Sequence, residues 1–259
     1  MRKNDFIYIA GPCVIESEDI CFRICEQLRD ICLRFDSIEL IFKASFDKAN
    51  RTSVDSYRGT GLIKGLELLK NIKERFSVKV LTDIHTPDQA EKVAEVVDII
   101  QIPAFLSRQT DLLVEAGKTG RVINIKKAQF MAPEDMIHAV KKVESTGNHN
   151  IMLTERGTCL GYHNLVVDFR SFDTMKTFGY PVIFDATHSV QIPSKGGVSS
   201  GNREYVLPLA RAAAAYGIDG LFTETHIDPL QAKSDAANLI PIESVEIMLR
   251  QVMYMREGL

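Results

Sequence analysis

The chain has 259 residues, 45% of them hydrophobic and 25% charged, with a formal net charge of −3. That is ordinary composition for one large globular domain, residues 1–259, and it excludes the global basic field that nucleic acid or an acidic membrane surface would require. No apolar run approaches the roughly 18 residues of a membrane span, and the N-terminus carries no signal-peptide pattern, so the expectation is a cytoplasmic protein with small-molecule ligands.

One pattern recurs along the chain: a short apolar run, a polar or glycine-containing turn, then an amphipathic stretch. The runs are FIYIAGPC (6–13), IELIFKASF (38–46), VKVLTDI (78–84) and IIQIPAF (99–105), then VINIKKA (122–128), IMLTERG (151–157), PVIFDATH (181–188) and GLFTETH (220–226). Each is near-continuous in apolar residues, as in strands buried on both faces. Helix signals lie between them. Ser17 before Glu18 and Asp19 predicts an N-cap with acids in the first turn. In the stretch that follows, Cys21, Cys25 and Cys32 fall on one helical face with Ile24, Leu28 and Ile31, and read as small core residues, not as disulfide partners. Thr86-Pro87-Asp88-Gln89 reads as a capping box with proline at the first helical position. Pro133 opens another helix that Gly147 closes, and Gly120 and Gly217 sit just past others. Eight strand–helix units in about 250 residues predict an α/β fold of the (β/α)8 TIM-barrel type. An open doubly wound sheet is the alternative, weakened by the lack of GxGxxG after the first strand.

Each run ends in polar or reactive groups: Cys13, Lys43-Ser45-Lys48, Asp83-His85, Gln101, Lys126-Lys127, Glu155-Arg156, Asp185-His188 and Glu224-His226. In a barrel the site is assembled from the C-terminal ends of several strands, so this clustering predicts one polar mouth. Lys43, Lys48, Arg51, Arg58, Arg108, Lys126, Lys127 and Arg156 make it cationic, which in a chain of net charge −3 points to phosphates and carboxylates as ligands. FKASFDKANR (42–51) is the densest anion reader. Cys13, His188, Glu224 and Asp235 offer a thiolate, an imidazole and carboxylates, a set suited to Zn²⁺, Fe²⁺ or Mn²⁺. Taken alone, each has a plainer reading as a packed cysteine, a hydrogen-bonded histidine or an ion-paired carboxylate.

The motifs GPCVIES, FKASFDKANRTS, SYRGTGL, TDIH, IIQIPAFLSRQTDLL, NIKKAQF, LTERGT, GYHNLVVDFR, DATHSVQ and ETHIDP carry a resemblance over essentially the whole chain. The sequence resembles the 3-deoxy-D-manno-octulosonate 8-phosphate synthases, also called 2-dehydro-3-deoxyphosphooctonate aldolases. DKANR separates that family from the related phosphoenolpyruvate synthase of the shikimate pathway, the alternative within the class. The resemblance implies condensation of phosphoenolpyruvate with D-arabinose 5-phosphate and water, in the Kdo branch of lipopolysaccharide biosynthesis, by a homotetramer. It implies that Lys43, Ser45 and Lys48 face the phosphoenolpyruvate carboxylate, and that Lys126, Arg156 and the Ala104 amide hold its phosphate with Gln101 nearby. Asn50 would meet sugar hydroxyls. Arg51 and Thr52 would bind the aldose phosphate, helped by Arg108 from a neighbouring subunit. Lys48, Asn50, His188, Cys13 and Asp235 would form the catalytic set. Cysteine after Gly-Pro, together with KSDA (233–236), resembles the metal-dependent class, in which Cys13, His188, Glu224 and Asp235 hold a divalent ion. Asparagine at the cysteine position marks the metal-independent class.

Departures from the family pattern are Thr52 for serine, Ile227 for proline, and the loop VSSGNR (198–203), which is expected to cover the site. His85 and His226 match family positions without an assigned role, whereas His138, His149 and His163 read as structural or exposed. Two further readings stay open at this level. Lys126 or Lys127 could act as a Schiff-base nucleophile, or the barrel could bind sugar phosphates without turning them over.

Overall fold

In a computed structural model the described residues are 5–51, 53–159, 162, 164–195 and 198–258, with 193–195, 198 and 199 described for backbone only. The eight apolar runs form strands β1 (Phe6–Gly11), β2 (Ile38–Lys43), β3 (Lys79–Asp83), β4 (Ile99–Ile102), β5 (Val122–Lys126), β6 (Ile151–Glu155) and β7 (Val182–Asp185), and, past an antiparallel pair β8 (Gln191–Lys195) and β9 (Val198–Gly201), β10 (Gly220–His226). Strands β1 to β7 pair in parallel in chain order, β7 pairs with β10, and β10 pairs with β1, which closes a (β/α)8 barrel. A two-residue strand β11 (Ile240–Pro241) adds to the end of β10. The open-sheet alternative is thereby excluded.

Helices α1 (Glu18–Cys32), α2 (Leu62–Phe76), α3 (Gln89–Ala94), α4 (Thr110–Lys118), α5 (Met136–Glu144), α6 (Arg170–Lys176), α7 (Val206–Tyr216) and α8 (Val245–Glu257) surround the strands. The Ser17 side chain accepts the Ile20 amide at 3.3 Å, as its position before two acids predicts. Cys21, Cys25 and Cys32 are buried with Ile24 and Leu28 against the barrel wall. The capping box is half formed. Gln89 Oε1 accepts the amides of His85 (2.7 Å) and Thr86 (3.4 Å), but α3 starts at Gln89 and Pro87 lies in the turn before it. The amides of Gln89 and Ala90 bond back three residues, to Thr86 and Pro87, so this corner is tighter than the expected α-helical turn. Pro133 likewise opens a short 3₁₀ turn that leads into α5, and Gly147 closes the segment at φ +81°.

Alternation along each strand builds two cores. Phe6, Tyr8, Ala10, Phe42 and Leu221 face the helices, while Ile7, Ile9, Ile41, Leu81, Ile99, Met152, Ile183 and Phe222 fill the barrel interior. Strands β1 and β2 approach closely at Gly11, whose φ is +156° and where an added Cβ would lie 2.0 Å from the Lys43 carbonyl oxygen. Gly11→Ala is expected to force the two strands apart and to cost about 1–3 kcal/mol or more. Thermal melting should show a midpoint lowered by roughly 5 °C; an unchanged midpoint would mean that the strands adjust freely.

Candidate active site

On β2, β3, β4, β6, β7 and β10 the inner face changes character two residues above the apolar floor. Ile41 is followed by Lys43, Leu81 by Asp83, Ile99 by Gln101, Met152 by Thr154, Ile183 by Asp185 and Phe222 by Glu224, all buried. A period of two keeps these side chains inside the barrel. Of these, Lys43, Asp83 and Gln101 open into a cleft of about 220 Å³ that Lys48, Asn50, Arg51, Lys126 and Arg156 also line. The strand-end cations of β2, β5 and β6 thus converge on one space.

The buried charges are cross-linked. Lys43 Nζ donates to Glu224 Oε1 (2.6 Å) and to the Cys13 carbonyl (3.0 Å), with Lys48 Nζ 3.9 Å from the same carboxylate oxygen. Lys126 Nζ donates to Asp185 Oδ2 (2.5 Å) and lies 3.7 Å from the Phe222 ring centroid, so the aromatic floor supports the ammonium. Burial alone would raise the carboxyls of Asp83, Asp185 and Glu224. Neighbouring cations outweigh it, Lys43 and Lys48 at Asp83 and Glu224, His188 and Lys126 at Asp185, and hold all three well below the ordinary range. Burial lowers Lys126 and Arg156 against their acidic neighbours. Arg156 Nη2 donates to Gln191 Oε1 (3.2 Å), while its buried Nη1 has no hydrogen-bond partner among the described residues. A buried guanidinium nitrogen without an acceptor suits an anionic ligand.

Cys13 Sγ, a Glu224 oxygen and an Asp235 oxygen lie within 4.8 Å of one another. The thiol donates to Asp235 Oδ2 at 3.1 Å and lies 2.8 Å from Ser234 Oγ. Burial, then the Asp235 and Glu224 carboxylates, push that thiol well above its ordinary value, so without a cation it stays protonated. Asp235 sits at φ +48°, a left-handed conformation that turns its carboxylate toward Cys13. His188 reaches the group through Glu224, its Nε2 3.6 Å from Oε2, an oxygen with no hydrogen-bond partner among the described residues. The other ring nitrogen, Nδ1, is fixed on Asp185 Oδ2 at 2.8 Å, the carboxylate support usual behind a ligating imidazole. Three of the four residues expected to hold metal are therefore gathered, with the fourth alongside. A thiol, an orphaned carboxylate oxygen and an oriented imidazole fit a borderline divalent ion.

The remaining expected residues fall as follows. Ser45 is buried outside the cleft lining and donates to Asp83, and Gln101 lines the cleft and donates to the same carboxylate. Ala104, which begins a 3₁₀ turn after β4, and the exposed Asn50 line the mouth. Arg51 Nε donates to the Tyr57 carbonyl at 2.9 Å and its guanidinium reaches the cleft. Arg108 is exposed and outside the cleft lining. Thr52 and His163 lie outside the described residues. His138 and His149 are exposed, as expected.

Lys127 turns away from the cleft, where its ammonium contacts the Ala128 and Met131 carbonyls, Thr158 Oγ1 and Glu155. The segment 198–203, expected to cover the site, forms β9 and leads into a 3₁₀ turn at Arg203; β9 pairs with β8, whose Gln191 stands in the cleft wall. Sequence reading assigns no role to Asp83 and Asp185, which prove to be hubs, and it passes over Gln129, Gln191 and Phe105, which also line the cleft. Gln191 ends no apolar run, so nothing in its local pattern marks it. His85 also lines the cleft, and burial lowers its imidazole despite Asp83 and Asp47 nearby.

The model of the DAHP synthetase I family matches residues 2–257. Among curated proteins, the 2-dehydro-3-deoxyphosphooctonate aldolase of Cyanothece sp. is 58% identical over 255 residues, which cover 98% of this chain and 93% of that protein. Those of Desulfatibacillum aliphaticivorans (54% identical; 97% and 92% covered) and Fusobacterium nucleatum (53%; 96% and 89%) are similar at nearly the same extent. With its barrel, its cationic cleft and this full-length similarity, the chain belongs to the DAHP synthetase I family, among its 2-dehydro-3-deoxyphosphooctonate aldolases.

Proposed function

We propose that the chain, as a single catalytic domain over residues 1–259, condenses phosphoenolpyruvate with D-arabinose 5-phosphate and water. The products are 3-deoxy-D-manno-octulosonate 8-phosphate and inorganic phosphate, for Kdo and lipopolysaccharide biosynthesis in the cytoplasm. The observation that carries the reading is the convergence of Lys43, Lys48, Arg51, Lys126 and Arg156 on one cleft, with a buried Arg156 Nη1 left without an acceptor among the described residues. Two multiply charged anions must be held side by side, and fixed cations do so without reorganising at the moment of reaction.

Lys43, Ser45 and Lys48 face the phosphoenolpyruvate carboxylate. Lys126, Arg156 and the Ala104 amide, with Gln101 nearby, hold its phosphate. Asn50 takes sugar hydroxyls, and Arg51 and Thr52 take the aldose phosphate with Arg108 of a neighbouring subunit in a homotetramer. Carbon 3 of phosphoenolpyruvate bonds to the aldehyde carbon, water adds at carbon 2, and the carbon–oxygen bond to phosphate breaks. Cys13, His188, Glu224 and Asp235 would hold a divalent ion such as Zn²⁺, Fe²⁺ or Mn²⁺, which would supply Lewis acidity toward the attacking water or the aldehyde oxygen. The protein's part is to hold the thiolate and carboxylates close, with Asp185 fixing the His188 ring.

Phosphate release should be rapid with phosphoenolpyruvate and arabinose 5-phosphate, slow with erythrose 4-phosphate, and suppressed by a chelator. Faster turnover of erythrose 4-phosphate would assign the chain to the shikimate-type reaction, and no release with either would leave a binding protein. Arg51→Ala is expected to raise KM for the aldose phosphate ~100-fold, the loss of a charge-assisted contact of about 3 kcal/mol, with KM for phosphoenolpyruvate little changed. Equal increases for both substrates would remove Arg51 from the aldose site. The Schiff-base reading predicts a borohydride-trapped adduct on Lys126 or Lys127. The Lys126 ammonium is committed to the Asp185 carboxylate and that of Lys127 to Thr158 and Glu155, and no adduct is expected.

A further inference from the structure

We infer that Asn124 and Thr154, neither of which lines the cleft, are positioning residues: they lock the side-chain amide of Gln101 so that it offers an N–H to the anionic substrate. The inference rests on the reading of the cleft as a phosphoenolpyruvate site.

The parallel register aligns Asp83 with Gln101 and Gln101 with Asn124, and places Thr154 beside Lys126, one step above. Five side chains from neighbouring strands then form one hydrogen-bonded chain across the barrel interior. Ser45 and Gln101 Nε2 both donate to Asp83. Asn124 Nδ2 donates to Gln101 Oε1 at 2.9 Å, and Thr154 Oγ1 donates to Asn124 Oδ1 at 2.7 Å. Asn124 and Thr154 are fully buried and Gln101 is 1% exposed, so solvent is no substitute partner.

The direction of this chain follows from chemistry. An ionised carboxylate accepts only, so Gln101 must turn its nitrogen toward Asp83. Its oxygen must then face Asn124, which must answer with its own nitrogen. The Asn124 oxygen is left facing β6, where only a hydroxyl hydrogen satisfies it, and Thr154 supplies one. A flip of either amide would set carbonyl against carboxylate or carbonyl against carbonyl in a buried site. An amide nitrogen carries two hydrogens. Asp83 takes one from Gln101, and the other is free for the cleft that Gln101 lines. A flipped Gln101 would instead present an oxygen lone pair to a phosphate or carboxylate oxygen and repel it.

The test is steady-state kinetics and thermal melting of Thr154→Val, Thr154→Ser and Asn124→Asp beside the unaltered protein. Valine keeps the shape and removes the hydrogen. Thr154→Val is expected to raise KM for phosphoenolpyruvate ~10-fold, the scale of one buried hydrogen bond, and to leave KM for the aldose phosphate within about 2-fold. Thr154→Ser keeps the donor and should restore KM to within about 3-fold. Asn124→Asp, close to isosteric, presents only acceptors to both neighbours and should impair phosphoenolpyruvate binding more than Thr154→Val. It carries the test alone if the valine variant does not fold. Unchanged KM for phosphoenolpyruvate in the folded variants, equal loss in the valine and serine variants, or parallel increases for both substrates would overturn the positioning role. Failure of the unaltered protein to release phosphate would overturn the reading of the site instead.

Discussion

Replacing Cys13 with alanine should strip the protein of the divalent ion proposed for that site and lower turnover by ~100-fold or more, since even supporting residues behind a metal ligand are worth 10–100-fold. The substitution removes the thiol around which Glu224 and Asp235 gather within 4.8 Å. Two carboxylates and an imidazole remain, but the Asp235 carboxylate loses the thiol donor at 3.1 Å and keeps Gln191 Nε2 at 3.2 Å. The fold should survive, because Cys13 packs at the barrel mouth outside the apolar floor formed by Ile7, Ile9, Phe222 and their neighbours. Metal content after dialysis and activity with and without chelator are the measurements, and full activity in the chelated alanine variant would contradict the assignment. Cys13→Asn separates two roles of the residue. Its neutral amide can donate to Asp235 where the thiol does, and needs no cation to sit beside two carboxylates. It is therefore expected to lose metal and retain measurable, chelator-resistant turnover.

The barrel was legible because a buried parallel strand has no polar face to blur its pattern. Runs such as VINIKKA and IMLTERG announce themselves, and the polar groups that end them mark the mouth. Much of the site was legible for the same reason, since a lysine that emerges from a buried run, as Lys43 and Lys126 do, must meet an acid or a ligand. What local pattern lacks is the partner. Lys43 meets Glu224 past β1 and Lys126 meets Asp185 past β6, at separations of 181 and 59 residues, and closure of β10 on β1 brings the first pair together. Asp235 is the extreme case. It ends no strand, and its loop reaches the site through contacts with Cys13 and Gln191, each distant in sequence. The family motifs supplied that link where physics of the local sequence had none. Conversely, the inward offset of two, from Ile99 to Gln101 and from Met152 to Thr154, was present in the sequence and would have nominated Thr154 as a barrel-interior polar residue had the floor layer been identified first.

Lys43→Met tests whether these cross-barrel pairs hold the fold as well as the ligand. Methionine fills much of the lysine volume but leaves the Glu224 carboxylate and the Cys13 carbonyl without their shared donor. Breaking one side of a buried ion pair costs about 3–5 kcal/mol, a large part of a typical domain's stability. The pH dependence identifies the cause. Burial drives the Glu224 carboxyl up, and Lys43, His188 and Lys48 together bring it well below the ordinary range. In the unaltered protein the pair therefore stabilises above the unfolded value of about 4.3, and that contribution fades as pH falls through the depressed native value. Without Lys43, burial is opposed less, the carboxyl rises, and the variant relieves its unpaired charge by taking up a proton well before the unaltered protein does. The stability gap between the two, measured by denaturant unfolding of the metal-free proteins, should be widest near neutrality and narrow as pH falls toward 4, because only the variant gains from protonation there. A gap independent of pH would mean that methionine costs stability through packing alone. Activity should fall ~100-fold or more at neutral pH, since the fixed cation proposed to face the substrate carboxylate is lost along with the support of Glu224.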